Sequence, residues 1–298
     1  MADDLDAASQ YEALEDRVLG KAPRGGRRGR GGRGGGGGGG GQSREVQISK
    51  ALSKLLRHQA EAANIKLDGE GYAPLDRVLA WGSLKSQKVT LEEIQAAVTS
   101  SDKQRFSLKP NPETNPSLST TSVNPADYLI RANQGHSIKL DSAAHLEAIT
   151  LADANVPPRV LHGTYFYFWP KIVESGGLKS MGRNHVHCST GTPEEGVVSG
   201  MRRDAELVIE VDVEASLHDG VKWWRSDNGV LLTEGDEQGG GLSSRYFKKV
   251  TGRQRDVGVL WQDGEWRADL PTGLKLRPPP GKGGTGGGRG GRGGRRGG

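Results

Sequence analysis

Three stretches of the chain concentrate arginine and histidine beside glycine and small polar residues, at positions 55–58, 130–137 and 181–187. A fourth element, His162-Gly163-Thr164, lies between the last two. Arginine presents a planar, permanently charged fork that holds phosphate through two hydrogen bonds. Histidine donates to phosphate or transfers a proton near neutral pH. Clustered arginine and histidine therefore indicate phosphoryl binding and transfer, in which positioning and charge stabilisation supply most of the catalysis.

Each of these elements also has an ordinary structural explanation. Arg57-His58 can be an exposed helix end, where cations favour the helix dipole, and Arg131 on a strand can pair with an acid. His185 and His187 share one strand face, where they can be structural or bind a stray metal. The tripeptide at 162–164 also occurs by chance in many chains.

Several function classes are excluded by what the sequence lacks. No H-E-x-x-H pattern occurs, so we expect a metal-free mechanism, and His145 and His218 are expected at the surface. The single cysteine, Cys188, excludes a disulfide framework and a zinc or iron–sulfur site made from this chain alone. A run of about 18 apolar residues and a secretory signal are also absent. These features predict an intracellular protein of the cytoplasm, the nucleus or both, with no membrane partner.

Charge is distributed unevenly along the 298 residues. The formal net charge is +5, from 41 basic and 36 acidic residues. Residues 21–44 and 272–298 each hold seven basic residues and no acid, whereas residues 45–271 are mildly acidic. A basic site in this middle part must therefore be built by focusing a few arginines and histidines. The length suits one or two domains.

Two glycine- and arginine-rich segments, 22–41 and 281–298, contain 25 of the 47 glycines. Glycine loses the most entropy on ordering, so the tails 1–44 and 272–298 are predicted to be disordered. Arg-Gly-Gly repeats favour weak, salt-sensitive contact with RNA, and a solubilising extension is the alternative. The G-x-G-x-x-G match at 281–286 has no strand before it and no helix after it, so we reject a dinucleotide site there.

Residues 45–140 open with helical periodicity. Apolar residues recur with helical spacing from Ile48, and Pro74 suits the first turn of a second helix. Thr90 with Glu93 forms a capping box that opens a third helix.

Two short strands follow these helices, around Phe106 and around Ile130, and they flank a polar stretch at 109–127 that we predict to be an inserted surface loop. Three helices and a two-stranded ribbon are the element order of a winged-helix module. Such modules bind nucleic acid or serve as protein-contact scaffolds, so the fold alone does not decide the function.

Residues 141–271 are dominated by strand signals, which makes the whole chain α+β. A short helix over 169–173 ends at Gly176-Gly177. Strict alternation over 207–213 predicts a half-buried strand. The remaining predicted strands lie at 159–164, 186–189, 229–232 and 257–261.

Read together, the motifs resemble the tRNA 2′-phosphotransferase family, NAD-dependent enzymes that remove a splice-junction 2′-phosphate from RNA. The most specific strings are Arg-Ala-Asn-Gln-Gly-His-Ser at 131–137 and Arg-Asn-His-Val-His at 183–187. The polar insertion and both glycine-rich tails are not part of the family pattern. The matching segments, in family order, are 53–58, 68–74, 130–137, 161–164, 177–189, 196–202 and 226–233.

The resemblance implies a winged-helix RNA lobe over 45–140 joined to an ADP-ribosyltransferase-like NAD lobe over 141–271. In that second lobe His162 would hold the ribose next to nicotinamide, Gly163 would approach the nicotinamide amide, and an apolar residue near Val230 would replace a glutamate. The resemblance also implies a catalytic set of Arg57, His58, Arg131 and Arg183, and NAD contacts from His162, Gly163, Thr164, His187, Ser189 and Asn133.

The implied reaction has two steps. The RNA 2′-phosphate first attacks the ribose carbon that bears nicotinamide, and the neighbouring ribose hydroxyl then attacks the phosphate. The products would be RNA with a free 2′-hydroxyl, nicotinamide and ADP-ribose 1″,2″-cyclic phosphate, as in the last step of tRNA splicing, and we expect a monomer. Two alternatives stay open: an ADP-ribosyltransferase that caps terminal phosphates of nucleic acids, and a non-catalytic RNA-binding protein.

Overall fold

A computed structural model describes residues 43–236 and 241–278. It is a mixed α/β structure with several antiparallel sheets and two main hydrophobic clusters, one drawn from 48–138 and one from 149–261. The expected disorder of the two tails and the G-x-G-x-x-G match at 281–286 concern residues almost entirely outside the described part.

The three predicted helices of the first lobe form, but Pro74 does not lie in the first turn of the second one: it is extended, ends a short strand and immediately precedes the helix. Helix α1 begins after Ser43, whose hydroxyl accepts from the Val46 amide, and it buries the apolar stripe that starts at Ile48. Thr90 and Glu93 form the expected capping box. A short helix after Trp81 was not predicted. The helices are α1 (Arg44–Lys54), which runs on as a π-helical turn (Leu55–Gln59), α2 (Leu75–Ala80), α3 (Gly82–Ser86) and α4 (Leu91–Thr99).

The first lobe's sheet is antiparallel, with strand order β1-β3-β2 over Ala73–Pro74, Tyr128–Ala132 and Phe106–Pro110. The predicted ribbon is confirmed, and the two-residue edge strand β1 was missed because it is too short to show a pattern. The polar insertion is held by hydrogen bonds, among them those from the Tyr128 hydroxyl to the carbonyls of Thr120 and Ser122.

The second lobe packs a four-stranded sheet and a five-stranded sheet around its larger hydrophobic cluster, beside a two-stranded sheet. Its short helices are α5 (Ser142–His145), α6 (Trp169–Glu174) and α7 (Val213–His218). The strands are β4 (Glu147–Ile149), β5 (Leu161–Thr164), β6 (Gly177–Lys179), β7 (Val186–Cys188), β8 (Leu207–Val211), β9 (Lys222–Arg225), β10 (Leu231–Gly235), β11 (Gly241–Ser243), β12 (Phe247–Gly252), β13 (Val259–Gln262) and β14 (Glu265–Trp266). The strand order is β4-β9-β10-β7 in the four-stranded sheet, β14-β13-β12-β8-β5 in the five-stranded sheet and β11-β6 in the two-stranded sheet.

The half-buried strand predicted over 207–213 was wrong in two details. Strand β8 ends at Val211, because Asp212 accepts from the Ala215 amide and starts helix α7 at Val213. The strand is also covered on both faces, since Val208 is buried together with its neighbours.

The folded part reaches slightly past the limits 45 and 271, because Ser43 caps a helix and Leu274 packs on the larger cluster. Within residues 43–236 and 241–278, no helix is both long enough and apolar enough to cross a membrane.

Candidate active site

A cavity of about 440 Å³ opens in the second lobe between strand β5, helix α6 and the loop that precedes strand β7. Five of the residues expected at a site line this cavity: His162, Gly163, Thr164, Arg183 and His187. Sequence reasoning had linked them only through the family resemblance, since they come from two separate segments of the chain. The pairing of Leu161 with Ser189 sets these two segments side by side.

The charge of the cavity wall is one-sided. Lys171, Lys179, Arg183 and Arg202 line it, and none of its described lining residues is acidic. The Nη2 atom of Arg183 is buried without a hydrogen-bond partner. A buried guanidinium nitrogen in this condition favours an anionic ligand, because a bound oxyanion would satisfy it.

His162 is a neutral hydrogen-bonding group. Burial lowers its pKa, and its Nδ1 lies 2.9 Å from the carbonyl oxygen of His187. Since a carbonyl only accepts, Nδ1 carries the proton and Nε2 is left as an acceptor. The ring can thus accept a hydrogen bond from a hydroxyl group in the cavity.

Gly163 is required by packing as well as by any ligand. A Cβ at this position would lie 2.5 Å from Cγ of Met201 and 3.0 Å from Cβ of Ala205. A larger residue at this point would force the Met201 side chain to shift, whether or not a ligand approaches the strand.

The first lobe encloses Arg57 and His58. Arg57 is only 2% exposed, which rules out the exposed helix end, and its carbonyl oxygen accepts from the amides of Ser137 and Ile138. Its guanidinium packs on Gly135, where an added Cβ would lie 3.4 Å from Cζ. The His58 ring is fixed by a 2.9 Å hydrogen bond between Nδ1 and the Ser137 hydroxyl.

Arg131 lies on strand β3 and is held on three sides. Its Nη2 donates to Oδ2 of Asp227 at 2.6 Å, and its Nη1 donates to the carbonyl of Glu70 at 3.2 Å. The guanidinium also lies 4.8 Å from the ring centre of Tyr72. Its Nε is buried without a hydrogen-bond partner. The acid partner considered for this strand arginine is therefore present, and it comes from the second lobe.

His136 is a buried residue that sequence reasoning did not single out, although it belongs to the motif at 130–137. Its Nε2 has no hydrogen-bond partner, and burial followed by the charge of Arg57 lowers its pKa well below the ordinary range. His145 meets it edge to face at 5.8 Å. His145 was expected at the surface; it is only partly exposed because of this packing, whereas His218 is exposed.

His185 has the structural role that was considered for it. Its Nε2 lies 2.9 Å from the Ser142 hydroxyl, which also donates to Glu234, and its ring packs against Trp224. Burial lowers its pKa to about 4. Among the described residues, no group of three or more histidines, cysteines or acids could hold a metal ion.

Asn133, Ser189 and Val230 lie outside the cavity wall. The Asn133 side chain binds the carbonyl of Gln104 and the hydroxyl of Ser107, and the fully buried Ser189 hydroxyl donates to the carbonyl of Gly191. Val230 is fully buried. The NAD contacts of Asn133 and Ser189 and the placement of Val230 stay predictions.

Two hydrogen-bonded bridges join the enclosed cluster of the first lobe to the cavity. Asn184 follows Arg183, its amide donates to the His136 carbonyl at 2.9 Å, and its side chain donates to the Ile138 carbonyl at 2.8 Å. A second bridge runs from His187 Nε2 to Gln134, 2.8 Å apart. The motif at 130–137 therefore contacts the enclosed Arg57 on one side and the cavity loop on the other.

Known proteins match this chain over the region that contains the candidate site. The model of the RNA 2′-phosphotransferase, Tpt1/KptA family, matches residues 43–235. The tRNA 2′-phosphotransferase 1 of Danio rerio is 39% identical over 211 residues, 70% of this chain and 86% of that protein. The tRNA 2′-phosphotransferase of Saccharomyces cerevisiae is 37% identical over 193 residues, 64% of this chain and 79% of that protein. A probable RNA 2′-phosphotransferase of Acaryochloris marina is 35% identical over 204 residues, 68% of this chain and 96% of that protein.

These matches and the cationic site identify the protein as a transferase. The chain belongs to the RNA 2′-phosphotransferase family, since the matched region covers well over half of its length.

Proposed function

We propose that the protein removes the splice-junction 2′-phosphate from tRNA by transferring it to NAD. The products are RNA with a 2′-hydroxyl, nicotinamide and ADP-ribose 1″,2″-cyclic phosphate. The observation that carries the proposal is the bridge through Asn184, which joins a cavity suited to an anion to an enclosed arginine and histidine cluster. Relatives named tRNA 2′-phosphotransferase support the choice of substrate.

We assign the two lobes to the two substrates. The helices and antiparallel ribbon of residues 43–138 support a winged-helix RNA lobe. The two antiparallel sheets that follow support an ADP-ribosyltransferase-like lobe, with the cavity as the NAD site.

The cavity residues fit NAD. The cationic cavity wall suits a pyrophosphate, and the His162 Nε2 suits a ribose hydroxyl. When bound, NAD supplies a ribose carbon that is open to attack and nicotinamide as its leaving group. Acidic residues are missing from the described lining of the cavity. A phosphate dianion is already a nucleophile, so such a site needs orientation more than a strong base.

The enclosed cluster handles the RNA phosphate. Arg57 and Arg131, together with Arg183 from the cavity wall, stabilise the charge that collects on the phosphate during its transfer. Arg57 and Arg131 do so without reorganisation because the fold already encloses them. The hydrogen bond to Ser137 fixes the His58 ring, which makes His58 the candidate to contact the phosphate and move a proton.

The test uses two RNAs that differ only in one internal 2′-phosphate, each with and without NAD. The proposal predicts dephosphorylation and nicotinamide release only when the 2′-phosphate and NAD are both present. A stable ADP-ribosylated RNA end, with no cyclic phosphate product, would identify a capping enzyme instead. Salt-dependent RNA binding with no consumption of NAD would contradict catalysis altogether.

A further inference from the structure

Asp227 is an acid at the junction of the two lobes, and its carboxylate meets a residue of the catalytic set. It lies in the turn between strands β9 and β10, and its Oδ2 accepts from Arg131 Nη2 at 2.6 Å. The Ser107 hydroxyl, from the first lobe, also donates to Oδ2 at 3.2 Å. We infer that Asp227 is a positioning residue that fixes the Arg131 fork for the RNA phosphate, an inference that rests on the proposed function.

The turn that presents Asp227 is itself rigid. The Gly229 amide donates to the Ser226 carbonyl, and Gly229 adopts a φ of +76°, which favours glycine. The Ser226 hydroxyl binds within the turn, and Asn228 Nδ2 donates to the carbonyl of Lys103 at 2.8 Å. The carboxylate therefore holds a set position relative to strand β3.

This geometry leaves a defined part of Arg131 for the substrate. Asp227 occupies Nη2 and the Glu70 carbonyl occupies Nη1, so the planar guanidinium cannot turn about its long axis. The buried Nε has no hydrogen-bond partner and is one of the donors that remain for the phosphate. Without Asp227 the fork would lose its fixed orientation, and catalysis would lose the preorganisation that makes charge stabilisation effective.

A competing explanation is that Asp227 only ties the two lobes together. Asn228 offers a matched control, because it bridges to the first lobe from the same turn and does not contact Arg131. Asp227→Ala removes the ion pair, and Asp227→Asn keeps an oxygen that accepts from Nη2. Asn228→Ala removes the bridge to Lys103 and one hydrogen bond within the turn but leaves the ion pair.

The experiment measures kcat, KM for each substrate and the melting temperature of these three variants, with NAD and an RNA carrying an internal 2′-phosphate. Asp227→Ala should lower kcat about tenfold or more, the order expected for a hydrogen bond between charged groups, and leave KM for NAD unchanged. Asp227→Asn should recover most of that loss. Asn228→Ala should lower the melting temperature and keep kcat.

Three results would overturn the inference. Equal kcat in Asp227→Ala and wild type would do so, as would an equal kcat loss in Asn228→Ala. Tighter RNA binding with faster turnover in Asp227→Ala would show that Asp227 competes with the phosphate. If Asp227→Ala does not fold, Asp227→Glu replaces it in the test. The longer side chain of glutamate should misplace the Arg131 fork, so a wild-type kcat in Asp227→Glu would contradict the inference. A wild-type protein inactive on this RNA would contradict the proposed function itself.

Discussion

The enclosed cluster of the first lobe and the cavity of the second lobe use cations in opposite ways. The side chains of His58 and Arg131 are fixed by hydrogen bonds to the protein, and Arg57 and Arg131 are almost fully buried. Lys171 and Arg183 instead face an open volume of about 440 Å³. The first arrangement holds charge in one orientation before a ligand arrives, and the second leaves room for a large ligand. The difference favours a division in which one lobe grips a phosphate and the other binds a dinucleotide.

The largest effect on activity is expected from replacing Arg131 in the first lobe or Arg183 in the second lobe. Arg131→Ala and Arg183→Ala should each lower turnover roughly 100- to 1,000-fold, the cost of losing a fixed donor for developing charge. If both act on the phosphate in its final transfer, an RNA species carrying label from NAD should accumulate on a gel.

Lysine at either position should rescue only part of the activity, because a point charge cannot copy the planar fork. Wild-type kinetics in both alanine variants would break the proposed catalytic set. Loss of nicotinamide release without a labelled RNA species would place both arginines in substrate binding.

The second effect concerns the stability of the second lobe. The pKa of His185 falls to about 4 on folding because the ring is buried, although Glu234 opposes this shift and His145 adds to it. An unfolded histidine takes up its proton near pH 6.5, so unfolding binds a proton between that value and about 4. Stability should therefore be complete above pH 6.5 and should fall by about 3 kcal/mol as the pH drops to 4.

Denaturant titration across that pH range measures this effect. A His185→Gln variant should show a flatter dependence, whereas His218→Gln, at an exposed position, should follow the wild type. If stability depends on pH in the same way in the wild type and in His185→Gln, His185 does not cause the dependence. The other buried histidines, His136 and His162, would then be the cause.

His162→Ala tests the cavity alone. It should lower kcat/KM for NAD about tenfold, the order of one lost hydrogen bond to a bound ribose, and leave RNA binding unchanged. Initial rates of nicotinamide release at low NAD measure it, with His218→Ala as the control. Release as fast as in the wild type would show that the cavity is not the NAD site.

The smallest effect is expected from the two ends of the chain. Removing 1–42 and 279–298 should keep turnover of a short RNA within about twofold, because every residue placed at the site lies between these limits. Binding of long RNA at low salt should weaken, with a shallower dependence on salt. A folded truncated protein that has lost catalysis would give the tails a role in the reaction.

Local patterns were enough to predict three helices of the first lobe, whereas the cavity residues were expected from the family resemblance. The stripe from Ile48 and the capping box at Thr90 depend on neighbours in the sequence, so they could be recognised. The pairing of Arg131 with Asp227 could not, because 96 positions separate the two residues. The burial of His136 and His145 likewise depends on how the lobes pack.

Strands were missed for a similar reason. Strands β1 and β14 have two residues each, too few to show alternation, and they exist because a neighbouring strand pairs with them. The end of strand β8 was misplaced because Val213 continues the apolar alternation after Asp212 has already started a helix.

One tracer measurement tests the proposed transfer of the 2′-phosphate to NAD most directly. The wild-type protein is given NAD and an RNA whose internal 2′-phosphate carries the only label, and the fate of that label is followed by chromatography. The account predicts that the label leaves the RNA and appears in ADP-ribose 1″,2″-cyclic phosphate, with one nicotinamide released for each phosphate removed. Label that stays on the RNA, or that leaves as inorganic phosphate without any use of NAD, would contradict it.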